Sequence, residues 1–267
     1  MMRVGFQGEP GAFSEEAALA LFGDATDCTG FRTFDDLVES VDTRAVEAGL
    51  IPCENAIYGS IARTYDLLAE HPGIRITDET THVIVQSLIG LPTAKIETIE
   101  RIISHPVALE QCRSFLRKLP HVQVEPVDDT AGAVRMVSEL YDPRIAAIGP
   151  ALAAKRYGVK VLNPSVHDDI ANVTRFFVIE HADTAKPRRN LGRACIALDL
   201  PHRSGSLYHA LGTIAERNLN LRSLVARPAR TQPFEYTFYL ELDCPQKETV
   251  VELLDVLPGE TRLFGWY

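Results

Sequence analysis

The sequence is poor in the residues that build crosslinks and metal cages. Of 267 residues, 5 are cysteines. They stand singly at 28, 53, 112, 195 and 244, odd in number and without a Cys-x-x-Cys pair. Neither a disulfide framework nor a zinc site is indicated, and reduced, buried thiols are expected. No apolar run approaches the roughly 20 residues of a membrane span. The opening residues Met1–Phe6 enter a strand pattern at once, without the apolar stretch and small-residue cleavage site of a secretory signal. A cytoplasmic location with no membrane partner is expected. Positive charge is also scarce: 27 Lys and Arg stand against 36 Asp and Glu, a net charge of -9. That argues against a nucleic-acid face, which needs a basic patch. A local site can still be positive and take a small anion.

What is present is ordinary globular material, 46% hydrophobic and 24% charged, in a chain long enough to suggest two domains. Up to about residue 180, short apolar runs alternate with helical patterns. Strands are expected at Val4–Gly8, Gly49–Pro52, Thr80–Gly90, Arg101–Ser104, Val122–Pro126, Ala146–Gly149 and Arg175–Glu180. Helices are expected at Ser14–Phe22, Asp35–Val46, Ser60–Glu70, Pro106–Lys118, Ala131–Leu140 and Pro150–Tyr157. Strands alternating with helices imply parallel α/β sheets. The polar, aperiodic stretch Asp183–Asn190 is a linker candidate. Beyond it, strand Arg193–Leu200, helix Ser206–Arg217, strands Leu221–Ala226 and Phe234–Asp243, helix Glu248–Leu257 and strand Arg262–Tyr267 follow in βαββαβ order, a ferredoxin-like arrangement.

The chemistry-bearing positions lie at strand-to-helix junctions: Gly8–Ser14, Asn55–Ser60, Ser104-His105-Pro106, Asp129-Thr130 and Gly149-Pro150. A helix N-terminus offers unpaired N–H groups and partial positive charge, which suits an anion. Each junction equally fits plain helix capping. Asp168–Val178 crowds polar groups before an aromatic strand, with Thr174 and Arg175 entering it on opposite faces. Arg175 could clamp a carboxylate or form an ion pair with Asp168 or Asp169. His105, before a proline at a first helical position, is the histidine best placed for acid–base work, with a capping role as the alternative.

Four motifs together resemble the prephenate dehydratase family. Gly8–Glu15 is similar to its GPxGTFSE opening and Pro52–Gly59 to its PxENSxxG segment. Ser104–Cys112 matches SHPQALxQC, and Asn172–Ile179 matches NxTRFxxI. In the second part, Gly205–Tyr208, Val225–Pro228 and Phe234–Tyr239 stand where the family's ACT regulatory domain has GALV, ESRP and WEYLFY. Ala12, Ala56 and Val107 depart from the motifs' Thr, Ser and Gln. Val225 and Ala226 replace the Glu and Ser of ESRP.

The resemblance implies a two-lobed, periplasmic-binding-protein-like catalytic region over 1–182, with chain crossings near 77–80 and 158–162. A ferredoxin-like βαββαβ ACT domain would follow over 191–267. It implies loss of carbon dioxide and water from prephenate to give phenylpyruvate, on the route to phenylalanine. Aromatisation drives that reaction, so no cofactor or metal is expected. Thr174 is implied as donor to the leaving hydroxyl. Ser14, Asn55, Ser104, Gln111 and Arg175 are implied to bind substrate, with His105 and Glu54 as the nearest acid–base or supporting groups. Ser14, Asn55, Ser104 and Thr174 are expected to face one cleft. Gly205, Ser206, Leu207, Tyr208, Ala226, Arg227 and Pro228 are the expected effector set. The effector would be an amino acid, phenylalanine by resemblance, bound more weakly or replaced by another because of Val225 and Ala226. A homodimer or homotetramer is the family expectation. The rival readings are an arogenate dehydratase and a non-catalytic two-lobed ligand-binding sensor.

Overall fold

The structure, a computed structural model, describes residues 1–169, 171–229 and 235–267. Ile170 and Phe234, which belong to two of the stretches above, lie outside the described residues. The first sheet draws on β1 (Arg3–Gln7), β2 (Asp27–Phe31), β3 (Ala48–Asn55), β4 (Gly59–Ser60) and β5 (Ile74–Val83). Between them run α1 (Phe13–Phe22), α2 (Phe34–Asp42) and α3 (Ala62–Glu70). The second sheet uses β6 (Ser87–Gly90), β7 (Arg101–Ser104), β8 (Gln123–Pro126), β9 (Ile145–Gly149) and β10 (Lys160–Asn163). Its helices are α4 (Pro106–Glu110), α5 (Arg113–Leu116), α6 (Thr130–Leu140) and α7 (Ala151–Arg156). Then β11 (Val173–His181) rejoins the first sheet, in the order β2-β1-β3-β11-β5 with β4 on β3. The second sheet runs β10-β6-β9-β7-β8.

The second sheet shows how the apolar pattern fixes its setting. On β6, β7 and β9, neighbouring residues divide between two cores. Ile89, Ile103 and Ala147 pack with Val134 and Val137 of α6. Leu88, Ile102, Ala146 and Ile148 pack with Ile99, Ala108 and Cys112. A sheet covered on both faces reads as continuous apolar runs, as these strands do. The expectation of parallel pairing holds for β7 with β8 and β9, and for β1 with β2. It fails for β6, which is antiparallel to both β9 and β10.

Three further expectations change for physical reasons. Thr80–Gly90 is not one strand: β5 ends at Val83 and β6 begins at Ser87. Between them the backbone turns to a distant partner, with Ile84 N–H donating to Asn172 O at 2.8 Å and Val166 N–H donating to Gln86 O at 2.9 Å. The chain therefore changes sheets over residues 84–86 and 164–172, some residues beyond the 77–80 and 158–162 read from sequence. The helix expected over Pro106–Lys118 breaks at Gln111-Cys112. There Asp168 N–H binds the Gln111 carbonyl at 2.7 Å, and its carboxylate takes Ser114 N–H at 3.1 Å. A cap supplied from residue 168 is invisible to a local reading. Strands β2 and β10 are additions to the sequence reading; β2 is largely exposed and lacks the alternation that would reveal it.

After β11 come β12 (Arg193–Asp199), α8 (Ser206–Glu216), β13 (Asn220–Pro228), β14 (Tyr236–Asp243), α9 (Lys247–Val256) and β15 (Glu260–Trp266). This is the βαββαβ order, in an antiparallel sheet β13-β14-β12-β15. Ile196, Leu198, Leu240 and Leu242 on one face pack against Ala210 and Ile214 of α8 and Val250 and Leu253 of α9.

By its contacts the chain forms two compact units. One is Met1–Leu37, Leu50–Gly59 and Thr80–Phe176; the other is Val38–Gly49, Ser60–Glu79 and Phe177–Tyr267. Within the second unit the linker is tied down: Arg188 pairs with Glu180 and Arg189 with Asp78. Asp78 and Glu79 are almost wholly buried, and Arg193 meets Glu79. Buried carboxylates are tolerated when so paired, and stripping one of its partner costs about 3–5 kcal/mol. Among the described residues no helix is long and apolar enough to cross a membrane.

Candidate active site

The opening motif builds a rigid corner in the first unit. Gly11 has φ +92°, and a Cβ there would stand 2.5 Å from Ala153 Cα. Only glycine fits both the backbone region and the approach. Glu15, buried, accepts Gly11 N–H and pairs with Arg156. Glu16 accepts Leu152 N–H at 3.1 Å and meets His82 Nε2 at 3.0 Å. Ser14 is buried inside α1 and caps nothing, since the N-cap position is Ala12.

A second constellation joins the ends of β3 and β11. Asn55 Oδ1 accepts the N–H groups of Ile57 at 3.0 Å and Tyr58 at 3.1 Å. That fixes the amide's orientation, because only oxygen can accept. Its Nδ2 then donates to Asn172 Oδ1 at 2.9 Å and to Thr174 Oγ1 at 3.0 Å. All four hydrogen bonds available to the Asn55 side chain are made. Thr174, 9% exposed, receives a bond at its oxygen, and among the described residues no acceptor is recorded for its own proton.

One residue along each strand the chemistry changes. Arg175 donates to Glu54 Oε2 from Nε at 3.1 Å and from Nη2 at 2.8 Å. The recorded ion-pair partner is thus Glu54, which engages the Nε and Nη2 edge of the guanidinium. Asp168 caps α5, and Asp169 accepts Ala171 N–H at 2.8 Å.

The SHPVALEQC segment is used differently. Ser104 is fully buried and its hydroxyl donates to Ile148 O at 2.6 Å, joining β7 to β9. His105 is the N-cap of α4, its Nδ1 accepting Val107 N–H at 3.2 Å, so the capping alternative describes it. Gln111 Oε1 accepts from Gln86 Nε2 at 3.1 Å. Burial raises the Cys112 thiol to about 12, with Asp168 adding to the effect. Cys28, half-buried, is raised to about 11, again chiefly by burial. All five cysteines are free.

Gln111 and Asn172 line a cavity of about 290 Å³ together with Ile57, Tyr58 and Asp169. Sequence reasoning missed Asn172 as a site residue, although it stands two before Thr174 and so shares its face. A larger cavity, about 820 Å³, lies beside Gly8–Pro10 and α6. Some of its polar groups are occupied: Asp129 caps α6 through Gly132 N–H, and Arg135 pairs with Glu9 and Glu139.

In the second unit, Gly205 is the N-cap of α8 with φ +87°. Ser206 and Leu207 line a small cavity of about 90 Å³ with Tyr236 and Phe238, whereas Tyr208 is 77% exposed. Ala226 lies opposite Phe238 and Pro228 opposite Tyr236 on β14. Arg227 is held by Asp66 through two bonds, at 2.8 and 2.7 Å.

The sequence matches the family model described as prephenate dehydratase over residues 4–184. It is 36% identical to the prephenate dehydratase of Methanocaldococcus jannaschii, over 87% of this chain and 84% of that one. It is 34% identical to arogenate dehydratase/prephenate dehydratase 2 of Arabidopsis thaliana, over 94% of this chain and 68% of that one. Among the plant relatives the chain spans about two thirds of their length. Two solved structures superpose with TM-score 0.89 at 27% identity. One is prephenate dehydratase from Arthrobacter aurescens in complex with L-Phe, covering 99% of this chain and 89% of that one. The other is GqqA, described as a quorum quenching acylase, covering 98% and 96%. This chain belongs to the prephenate dehydratase family.

Proposed function

We propose that this chain is a cytoplasmic lyase that converts prephenate to phenylpyruvate, with a catalytic region over 1–182 and an ACT domain over 191–267. The observation that carries the reading is the Asn55 bond to Thr174 Oγ1. A hydroxyl that already accepts a bond from a fixed donor has its proton available for another oxygen. In prephenate that oxygen is the ring hydroxyl. As the carboxylate leaves as carbon dioxide, electrons move through the ring and expel the hydroxyl from the opposite carbon. A hydrogen bond from Thr174 stabilises the charge that grows on it. Threonine is too weak an acid to give up its proton outright, so it acts as a donor. Ser14, Gln111 and the N–H groups of the junctions orient the substrate, and Arg175 pairs with a carboxylate.

The same reading makes the βαββαβ sheet the effector domain. Gly205–Leu207 and the facing strand β13 would hold an amino acid, phenylalanine by analogy with the Arthrobacter aurescens structure. The cavity lined by Ser206, Leu207, Tyr236 and Phe238 is about 90 Å³. It fits a site completed by a second copy, in line with a homodimer or homotetramer.

The test is turnover of purified chain on prephenate and on arogenate, with formation of phenylpyruvate or phenylalanine followed, and with phenylalanine titrated calorimetrically. Phenylpyruvate formation at the higher kcat/KM is the expected result. Preference for arogenate selects the alternative substrate. Saturable binding without product selects the sensor, and acylase activity without dehydration selects the chemistry named for GqqA.

A further inference from the structure

Asn172 is 1% exposed, and its Nδ2 is buried with no hydrogen-bond partner among the described residues. An unpaired buried donor forfeits its hydration without a replacement bond, which is costly. Folded proteins retain few of them, and each calls for an explanation. The amide cannot simply be turned round. Backbone N–H groups of Ile57 and Tyr58 hold Asn55 Oδ1, so Asn55 Nδ2 is a donor, and the Asn172 atom it meets is the oxygen. The nitrogen of Asn172 is left over, on a residue that lines the 290 Å³ cavity.

Asn55 therefore sets the polarity of two groups from one nitrogen. It binds Asn172 at its oxygen and Thr174 at its oxygen. Each is left with a proton to give. We infer that Asn172 Nδ2 is a second donor to the oxygen that leaves the substrate, paired with Thr174, and that Asn55 is the positioning residue for both. This rests on the dehydratase reading above.

The chemistry of the surroundings favours the leaving oxygen over a substrate carboxylate. Glu110, Asp168 and Asp169 also line this cavity. Arg113 and the N–H groups of Ser114 and Ala171 engage them, and an oxygen that carries only partial charge as its bond breaks meets less repulsion from them than a full carboxylate would. A hydroxyl enters neutral and acquires charge only as its bond to carbon breaks. Donors aimed at it act in the transition state and lower the barrier without tightening ground-state binding. The step itself is balanced as before: the carboxylate carbon leaves as carbon dioxide, its bonding pair completes the aromatic ring, and hydroxide departs to be protonated by solvent.

The variant Asn172→Asp tests this. Its carboxylate still accepts from Asn55, so a merely structural role survives, but the donor becomes an acceptor. The expected result is a fall in kcat of about 10²–10³, the loss seen for one donor to a developing oxyanion. KM should change little, and activity should partly return as the pH falls and the new carboxyl gains a proton. Far-ultraviolet circular dichroism checks the fold. If that variant does not fold, Asn55→Asp asks the same question, since it still accepts from Ile57 and Tyr58 but no longer donates to either partner. A folded variant with kcat near the wild-type value, at any pH, overturns the inference and leaves the dehydratase reading intact. Wild-type chain without turnover ends both.

Discussion

Two motif segments of the first unit differ in what they do with their polar atoms. In Ser104–Cys112 those atoms are largely used by the protein: Ser104 binds the Ile148 carbonyl and His105 caps its own helix. In the Asn55–Asn172–Thr174 constellation they are passed along in one direction, from backbone N–H to Asn55 and then outward. In the first segment Ser104 and His105 are satisfied, whereas the second ends in two groups, the Asn172 amide and the Thr174 hydroxyl, whose protons have no recorded acceptors among the described residues. Hydrogen-bond potential left unused inside a protein is costly, so it marks where a ligand is expected better than motif membership does.

Thr174→Ala should give the largest effect, a loss of about 10²–10³ in kcat with KM little changed. Steady-state kinetics on prephenate would check it. Stability should fall modestly, because Asn55 Nδ2 keeps Asn172 Oδ1 as an acceptor but loses the one for its second N–H. Thr174→Ser retains the hydroxyl and should recover part of the rate. Full activity in Thr174→Ala would erase the contrast between the two segments.

Much of this is legible from the chain, for identifiable reasons. The core strands can be read because Val4, Phe6, Ile102, Ile103 and Ile145–Ile148 form apolar runs that only a sheet covered on both faces can bury. The βαββαβ order can be read because its strands alternate and its helices keep a 3.6-residue period. The breaks are not legible, since their causes are distant: Asp168 divides the helix at Gln111, and the carbonyl of Asn172 draws Ile84 out of the strand. Thr174 stands out through a motif, but the role of Asn172 does not. A side chain's leftover proton depends on which atoms face it, and no spacing encodes that.

Ser104→Ala sharpens the comparison from the other side. It strips the Ile148 carbonyl of a partner in a fully buried setting, which costs about 1–3 kcal/mol. For chains of about 150–250 residues each kcal/mol lowers Tm by about 2–4 °C. Thermal unfolding should therefore shift by several degrees while kcat, measured well below Tm, stays near wild type. A large kcat loss at unchanged Tm would return Ser104 to the substrate.

The smallest effect belongs to His105. Its Nδ1 can accept Val107 N–H only while unprotonated there, so the cap requires the neutral ring with its proton on Nε2. Replacing a cap residue by alanine costs about 0.5–2 kcal/mol in well-formed helices. α4 is a single short turn with Pro106 at its start, so the lower end of that range applies. Pro106 fixes the helical backbone without needing a cap of its own, and Asn or Ser at 105 should replace the lost acceptor. His105→Asn should thus retain both stability and turnover, whereas His105→Ala should lose about 0.5 kcal/mol by denaturant titration. An acid–base role predicts otherwise. Asparagine cannot exchange a proton near neutral pH, so the variant would then lose turnover together with one limb of its pH–rate profile. An unchanged profile in His105→Asn identifies a cap, and a lost limb identifies the general acid that the Asn55 constellation would then be serving.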